Sequence, residues 1–378
     1  MEIKERVVAK IKSQGGSISF REYMQLALYY PNYGYYSSSR DKISSSGDFI
    51  TATSQTSLFA RTFANQFATI LSEFEQEGNI IEFGAGTGKF AIDCMDELNK
   101  LGVLPESYYI VELSADLRFR QQEYVKQNLP HLFDKFVWLK ELPKQKLKAI
   151  VFANEVLDAM PVDIFKAKDN KLIQQGVTFD GSKFKFVDLQ VNDSLFEYEA
   201  QRILSDNISF EDGYISELNT WIRPWIKSLR DCLDQAVIFL CDYGYHRKLY
   251  YTPARSMGTL ACYHKHQVNF DPFINIGLQD ITSHVDFTAV AEAATEVGFE
   301  LDGYMNQANF LKRAGIDKVF TNLFQSLEQK DQLIYNSDLK ELLLGDKLAE
   351  TFKVICFSLG FETILEVFDN EDNIDYLL

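Results

Sequence analysis

No run of apolar residues in this 378-residue chain approaches the roughly 20 needed to cross a bilayer, so a helical membrane protein is excluded. Cysteine is sparse. The five thiols (Cys94, Cys232, Cys241, Cys262 and Cys356) are scattered and form no C-x-x-C pair. That argues against a disulfide scaffold and points to free core thiols in a reducing compartment. Histidine is equally thin: His264 and His266 make the only tight pair, with no Cys/His/Asp cluster beside them, so no metal site is expected. Positive charge is in deficit, with 38 Lys and Arg against 54 Asp and Glu. A net charge of −16 argues against nonspecific binding to nucleic acid. The stretch Met1 to Val7 is an amphipathic, mixed-charge helix with neither the apolar centre of a secretion signal nor the acid-poor character of a mitochondrial presequence, which makes a cytoplasmic location the expectation. There is no internal repeat, and low complexity is confined to Ser37–Ser39 and Ser44–Ser46.

What is present is 46% hydrophobic residues, enough for a sizeable globular core, and one organising stretch, Ile80 to Phe90. An apolar run ending in Glu82 meets Gly84-Ala85-Gly86-Thr87-Gly88, and a helical stripe of Phe90, Ala91, Cys94, Met95 and Leu98 follows. This reads as strand, tight turn and helix, with bare backbone available to a ligand and helix N–H groups available to its anionic part. The spacing is G-x-G-x-G; the third glycine of a dinucleotide fingerprint would fall on Lys89. The variant resembles motif I of the class I S-adenosylmethionine methyltransferases, with another nucleotide ligand or a structural turn as alternatives. A second strand, Tyr108 to Val111, ends at Glu112, an acid placed to accept both hydroxyls of an adenosine ribose.

Along the chain the spacing predicts helices over 2–14, over 20–28 behind Ser19, and from Ser54 to Glu77 with Leu58, Phe59, Phe63, Phe67, Ile70, Leu71 and Phe74 inward. Tyr29 to Thr53, with Tyr29 to Tyr36, a serine-rich loop and Gly47 to Thr53 in turn, is too rich in Tyr, Gly and Ser to be a packed element and reads as a loop or lid. Ser114 caps a helix to about Asn128, and Phe136 to Leu139 is a third strand whose Trp138 and Leu139 border an adenine ring or simply pack. A fourth strand, Ala149 to Ala153, ends in Asn154-Glu155-Val156-Leu157-Asp158-Ala159-Met160-Pro161, where an open α/β sheet puts its active site. Residues 171–179 and 183–189 form a hairpin around Asp180-Gly181-Ser182. Glu217 to Cys232 reads as helix, Ala236 to Cys241 as a fifth strand ending in Asp242-Tyr243-Gly244, Tyr250 to His284 as loop, and Val285 to Val297 as helix. The pattern divides the chain into a helical N-terminal region with lid (1–78), a cofactor-binding half (79–161), an inserted α+β substrate-side subdomain (162–216), and the second half of the sheet (217–378).

Taken together, Gly47-Asp48-Phe49-x-Thr51-Ala52, Glu82-x-Gly84-x-Gly86-Thr87-Gly88, Glu112-x-Ser114, Asn154-Glu155-x-x-Asp158-Ala159-x-Pro161, Asp242-Tyr243-Gly244, Gly258-Thr259-Leu260 and Gln279-Asp280-Ile281-Thr282-x-x-Val285-Asp286-Phe287 resemble the MidA family. The matching motifs run from about Ile18 to Ile316. The resemblance implies an α/β class I (Rossmann-like) methyltransferase sheet with S-adenosyl-L-methionine as cofactor. It places Gly47, Phe49, Thr51, Glu82, Gly84, Ala85, Gly86, Thr87, Gly88, Glu112, Leu113, Trp138, Leu139 and Asn154 around that cofactor. Mitochondrial members of the family are complex I assembly factors that dimethylate an arginine of a core subunit. The implied partner is therefore a protein, a respiratory complex subunit among the candidates, and a homodimer is left open. Two features depart from the family: the opening helix lacks the character of a presequence, which makes a bacterial-type cytoplasmic member the expectation, and Thr51-Ala52-Thr53 includes a threonine where many relatives carry proline.

Methyl transfer from a sulfonium is an in-line displacement, so positioning supplies most of what a protein can contribute. A guanidinium arrives charged and planar, and carboxylates can hold it bidentately. Glu155, Asp158 and Asp242 are the candidate acids, with helix capping or surface exposure as the plain alternatives. A methyltransferase of another side chain or of a small molecule uses the same cofactor half, and a non-catalytic assembly factor could keep the fold alone.

Overall fold

The computed structural model describes residues 2–37, 56–75, 77–190, 193–325, 327–345, 351–363, 365–369 and 373–377. The chain divides into two compact units: Phe49–Val156 with Ile226–Gly244 and Ala291–Leu378, and Met1–Asp48 with Leu157–Trp225 and Tyr245–Val290.

The first unit is built on strands β1 (Asn79–Phe83), β2 (Tyr108–Val111), β3 (Phe136–Leu139), β4 (Leu147–Asn154), β5 (Leu233–Tyr245), β6 (Glu300–Asn306) and β7 (Phe352–Leu359). Their order across the sheet is β3-β2-β1-β4-β5-β7-β6. Neighbours from β3 through β5 are parallel, while β7 runs antiparallel to both β5 and β6. Strand order reverses between β1 and β4, the point at which open α/β sheets bind ligands beyond their carboxyl ends. The central strands are apolar nearly throughout because helices cover both faces: from Ala149 to Asn154, every residue of β4 is buried.

Helices α1 (Ser57–Glu73) and α2 (Lys89–Leu101) present the apolar faces that their spacing predicts, burying Phe59, Phe63 and Phe67 from one and Phe90, Cys94, Met95 and Leu98 from the other. Thr56 caps α1 by accepting the N–H of Leu58. Phe63 is the hub of the core, its ring centroid 4.7 Å from Phe310, 4.9 Å from Phe59 and 5.0 Å from Phe152. Phe90 stacks on Phe152 at 4.1 Å, the ring planes nearly parallel.

The second unit carries an antiparallel sheet of Ser17–Ser19, Lys171–Phe179, Asp163–Lys168 and Ile215–Leu218, with Phe184–Asp188 added to the second of these. Its helix Phe20–Tyr29 opens with a reciprocal capping box between Ser19 and Glu22. Arg21 crosses to Asp163 at 3.2 Å and Asp193 at 2.5 Å. This unit takes in the 162–216 segment together with the N-terminal helices and 245–290.

Three readings change here. Tyr29 to Tyr36 is a packed turn, in which Tyr35 is buried, the N–H of Tyr36 bonds the Leu28 carbonyl at 2.8 Å, and the rings of Tyr29 and Tyr36 stack at 5.4 Å. Glu217 lies in a strand, and the helix starts at Ile222. The strand wins because the Glu217 carboxylate, buried, accepts the backbone N–H groups of Thr259 and Leu260. Tyr250 to His284 is not all loop: Ala261–His264, Gln267–Asn269 and Asp280–Thr282 form a small antiparallel sheet, too short and polar for period-2 alternation to show. Among the described residues no helix is long and apolar enough to cross a membrane.

One acid is sunk in the core of the first unit. Glu82 is buried in β1 and accepts the Tyr108 hydroxyl at 2.9 Å. Burial pushes its carboxyl from 4.5 up to about 8, against the pull of that hydrogen bond. The folded protein thus keeps a proton that the unfolded chain releases, and stability falls as pH rises from about 4.5 to about 8. Glu82→Gln keeps an acceptor for Tyr108 without the charge. Its urea midpoint should pull ahead of the parent's through that window, by on the order of a few kcal/mol at pH 8, and lose its lead near pH 4. Phe63→Ala should cost about 3–5 kcal/mol in the same measurement at any pH.

Candidate active site

The turn after β1 is built by backbone constraint. Gly84, Gly86 and Gly88 have φ of +66°, +54° and +86°, and the Gly88 N–H closes on the Ala85 carbonyl at 2.7 Å. A Cβ on Gly84 would lie 2.7 Å from Cγ2 of Val156. Gly88 then caps α2 without a side chain, so the first-turn N–H groups remain a place for an anionic group. Ala85 and Gly88 are buried, Gly86 and Thr87 half-buried and Gly84 exposed.

The turn is tied to the tips of β2 and β3 by Gln121, a residue in the helix Ala115–Asn128 that sequence reasoning missed. Its buried amide donates to the Gly86 carbonyl at 2.9 Å and to Glu112 at 3.4 Å, and accepts the Trp138 indole N–H at 3.1 Å. Glu112 also accepts the Ser114 N–H at 2.8 Å. Burial raises its pKa, against those two hydrogen bonds and the charge of Arg118. A carboxylate fixed at a strand tip is suited to ribose hydroxyls. Trp138 packs on Phe133 and Phe136 with its indole N–H spent on Gln121. Leu139 is half-buried, its carbonyl holding the Glu112 N–H at 3.1 Å. Leu113 is 69% exposed. Glu82 points into the core rather than toward this surface, its oxygen on Tyr108.

Beyond β4 the chain turns at Glu155. Glu155 has φ of +53°, a conformation strained for any residue with a Cβ, and its N–H is held by the Cys241 carbonyl at 2.9 Å. The Asn154 amide donates to the Glu155 carboxylate at 3.0 Å. Asn154 pairs with Cys241 across β4 and β5, so Glu155 and Asp242 each follow directly on a paired residue at the ends of adjacent strands. Asp242 is buried and accepts its neighbour Tyr243's N–H at 2.9 Å. Burial drives the Cys241 thiol well above its usual range, and the nearby Asp242 and Glu155 add to the shift. On the far side of the same edge, Asp242 and Asn306 both pair with Lys353. The next residue, Gln307, is buried with neither amide atom hydrogen-bonded among the described residues. No sequence signal marked Gln307.

The boundary between the units falls after Val156, so Asp158 belongs to the second unit. It is buried in a turn that leads to a strand, so it neither caps a helix nor sits on the surface. Its carbonyl holds the Ser283 N–H at 3.0 Å. Around it Tyr29 donates to the Ala159 carbonyl and Tyr36 to Asp280, both at 2.9 Å. The Tyr36 phenol is driven up by burial first, then by Asp280, Tyr29 and Asp158. A cleft of the same unit is lined by Glu199, Arg247 and Asp286. Its charges are engaged in ion pairs, Arg247 with Asp206 and Asp286 and Arg223 with Glu199, and it is read as structural. Gly47, Phe49 and Thr51 lie outside the described residues. Among those residues no cluster of His, Cys, Asp and Glu could hold a metal ion.

A cradle closed to any Cβ at Gly84, a fixed acid at the β2 tip and an unpaired buried amide oxygen on Asn154 fit a nucleoside with a charged amino-acid tail. Comparison with known proteins agrees. A family model for S-adenosyl-L-methionine-dependent methyltransferases (Methyltransf_28) matches residues 60–305. The chain is 26% identical to the zebrafish (Danio rerio) mitochondrial protein arginine methyltransferase NDUFAF7, over 89% of this chain and 82% of the fish protein. The Drosophila melanogaster homologue is 24% identical, over 95% of this chain and 85% of its own. A crystal structure of a Burkholderia thailandensis protein bound to S-adenosyl-homocysteine superposes with a TM-score of 0.88 at 35% identity, covering 98% of this chain and 95% of that one. A native crystal structure from the same organism gives 0.88 at 36%, with the same coverage. The chain belongs to this family of S-adenosyl-L-methionine-dependent methyltransferases, the MidA family that its motifs resemble.

Proposed function

We propose that the chain methylates an arginine side chain of a protein partner. The observation that carries this reading is the placing of two acids, Glu155 and Asp242, each directly after the paired residues Asn154 and Cys241 at the carboxyl edge of β4 and β5, with Asn154 bordering the glycine turn. The two curated relatives named as protein arginine methyltransferases support it.

Bound S-adenosylmethionine supplies an electrophilic methyl on a sulfonium. The glycine turn offers it bare backbone, and Glu112 accepts its ribose hydroxyls. Glu155 holds the guanidinium through N–H···O bonds that fix its plane and leave one nitrogen free to face the methyl. The carboxylates also offset the cation's loss of hydration as it enters. The proton lost from the methylated nitrogen passes to a carboxylate oxygen of this pair.

The acceptor is identified by incubating the protein and tritiated-methyl S-adenosylmethionine with an extract and locating the label by mass spectrometry. Label on arginine is the expected outcome; label in the small-molecule fraction or on another side chain overturns the reading. Glu155→Gln should lower transfer at least about 100-fold while calorimetry gives unchanged S-adenosylmethionine affinity. Glu155→Gly should lose transfer equally yet unfold no more easily than the parent, because glycine relieves the positive φ. A Glu155→Gln enzyme with normal turnover would remove the carboxylate's role. Gly86→Val should abolish cofactor binding, seen by the same calorimetry, since a branched side chain at φ +54° both strains and fills the turn.

A further inference from the structure

We propose that Gln121 is a positioning residue for the cofactor: one buried amide holds the glycine turn, which meets the amino-acid end, in register with Glu112, which meets the ribose. It rests on the preceding reading only in taking the turn and Glu112 as parts that touch S-adenosylmethionine. It does not require the acceptor to be arginine.

The orientation of the amide is settled by its partners. The Trp138 indole N–H can only donate, so the oxygen of Gln121 is the end that faces it, at 3.1 Å. The NH2 end therefore faces the Gly86 carbonyl at 2.9 Å and, at a longer 3.4 Å, the Glu112 carboxylate, both of them acceptors. The second Glu112 oxygen takes the Ser114 N–H at 2.8 Å, so each oxygen of that acid has a donor of its own. Gln121 is wholly buried, and its stem packs on the turn: Cγ, Cβ and Cα lie 3.6, 3.8 and 3.9 Å from the place a Gly88 Cβ would take. The helix that carries it is fastened to the same strand tip. Ser114 caps that helix on the Leu117 N–H at 3.3 Å, and Arg118 donates to the Glu112 carbonyl at 2.6 Å.

The turn needs such a hold. Three glycines at positive φ in five residues form a segment whose own chain does little to keep it in one conformation. Val156 confines Gly84 at one end, and the Gly88 N–H on the Ala85 carbonyl closes the other. Gly86 lies between them, and its carbonyl is held by Gln121. The same amide reaches Glu112, so the place of the turn and the place of the acid are set by one group. A ligand that touches both gains the full benefit of the second contact only when the spacing between them is already correct. A ligand that touches one alone is indifferent to that spacing.

Gln121→Leu, close in size and without polar atoms, is titrated by calorimetry with two ligands. S-adenosyl-homocysteine spans both ends, and methylthioadenosine carries the same nucleoside and sulfur without the amino acid. The expected result is S-adenosyl-homocysteine affinity down about 10- to 100-fold, with methylthioadenosine within about threefold of its affinity for the parent. A general loosening of the fold would weaken the two together. Equal losses would therefore overturn the proposal, as would a larger loss for methylthioadenosine, which confines the effect to the nucleoside end. No loss for either ligand would overturn it in favour of a strut without bearing on the cofactor. Should the branched leucine fail to fold, Gln121→Met, unbranched like glutamine, carries the same comparison with the same expected result. A parent that binds S-adenosyl-homocysteine no more tightly than methylthioadenosine would remove the amino-acid end from the glycine turn and overturn the proposal at its base. The arginine reading is decided separately, by the labelled residue.

Discussion

Val156 lies so close to the backbone of Gly84 that one added carbon on that glycine would sit 2.7 Å from the valine methyl. Much of the site follows from that contact. It forces the residue after β1 to lack a side chain, which leaves a strip of bare peptide at the point where strand order reverses. It also fixes how near the end of β4 can come to that strip, and so where Asn154 and Glu155 stand relative to whatever occupies it. Gln121 does the same on the other side, joining the Gly86 carbonyl to Glu112 and Trp138 through a single buried amide. The cofactor surface is thus braced from both flanks by side chains that have no need to touch the cofactor.

The acids of this chain sort by what surrounds them. Glu82 has one phenolic donor and no cation, so burial dominates and its carboxyl is held neutral near pH 7. Glu217 is equally buried but accepts two backbone N–H groups and the Thr259 hydroxyl, which oppose the effect of burial and make it a strut between Ile215–Leu218 and the Gly258-Thr259-Leu260 loop. The same Gly258 could not carry a side chain, because its Cβ would meet the Glu217 carboxylate. Glu155 and Asp242 differ from both: they stand at a sheet edge, with local N–H donors that orient an oxygen each. A chain of net charge −16 has acids to spare. Location and local donors, rather than number, separate core, strut and site.

Much of this was legible in the residues. Period-3.6 stripes predicted the faces of α1 and α2, the glycine spacing placed the turn, and the polar residues after Ala153 and Cys241 marked the carboxyl edge. What escaped depended on contacts distant in sequence. Glu217 reads as a helix former until Thr259 and Leu260, some forty residues on, supply the donors that hold it in a strand. The tyrosines from Tyr29 to Tyr36 lack periodicity because they pack as a turn, ring on ring, with Tyr36 anchored to Asp280. Gln121 and Gln307 are ordinary polar residues of helices by any local rule. Only burial, with three partners for one and none among the described residues for the other, sets them apart.

Among the described residues Glu155 is one of nine non-glycine residues with a left-handed backbone, and it is the one at the tip of β4. Glycine would adopt the same φ of +53° without strain, and the strand tip would turn as sharply. The strain, of order 1–3 kcal/mol for a residue with a Cβ, is held in place by the Cys241 carbonyl on the backbone and by Asn154 on the carboxylate. Both grips act on Glu155 itself, so the turn and the direction of its carboxylate are fixed together. A flexible acid on an exposed loop could neutralise a cation, but it could not fix the plane of one. Displacement at a sulfonium methyl depends on that plane, since the attacking nitrogen must lie on the line through the carbon and the leaving sulfur.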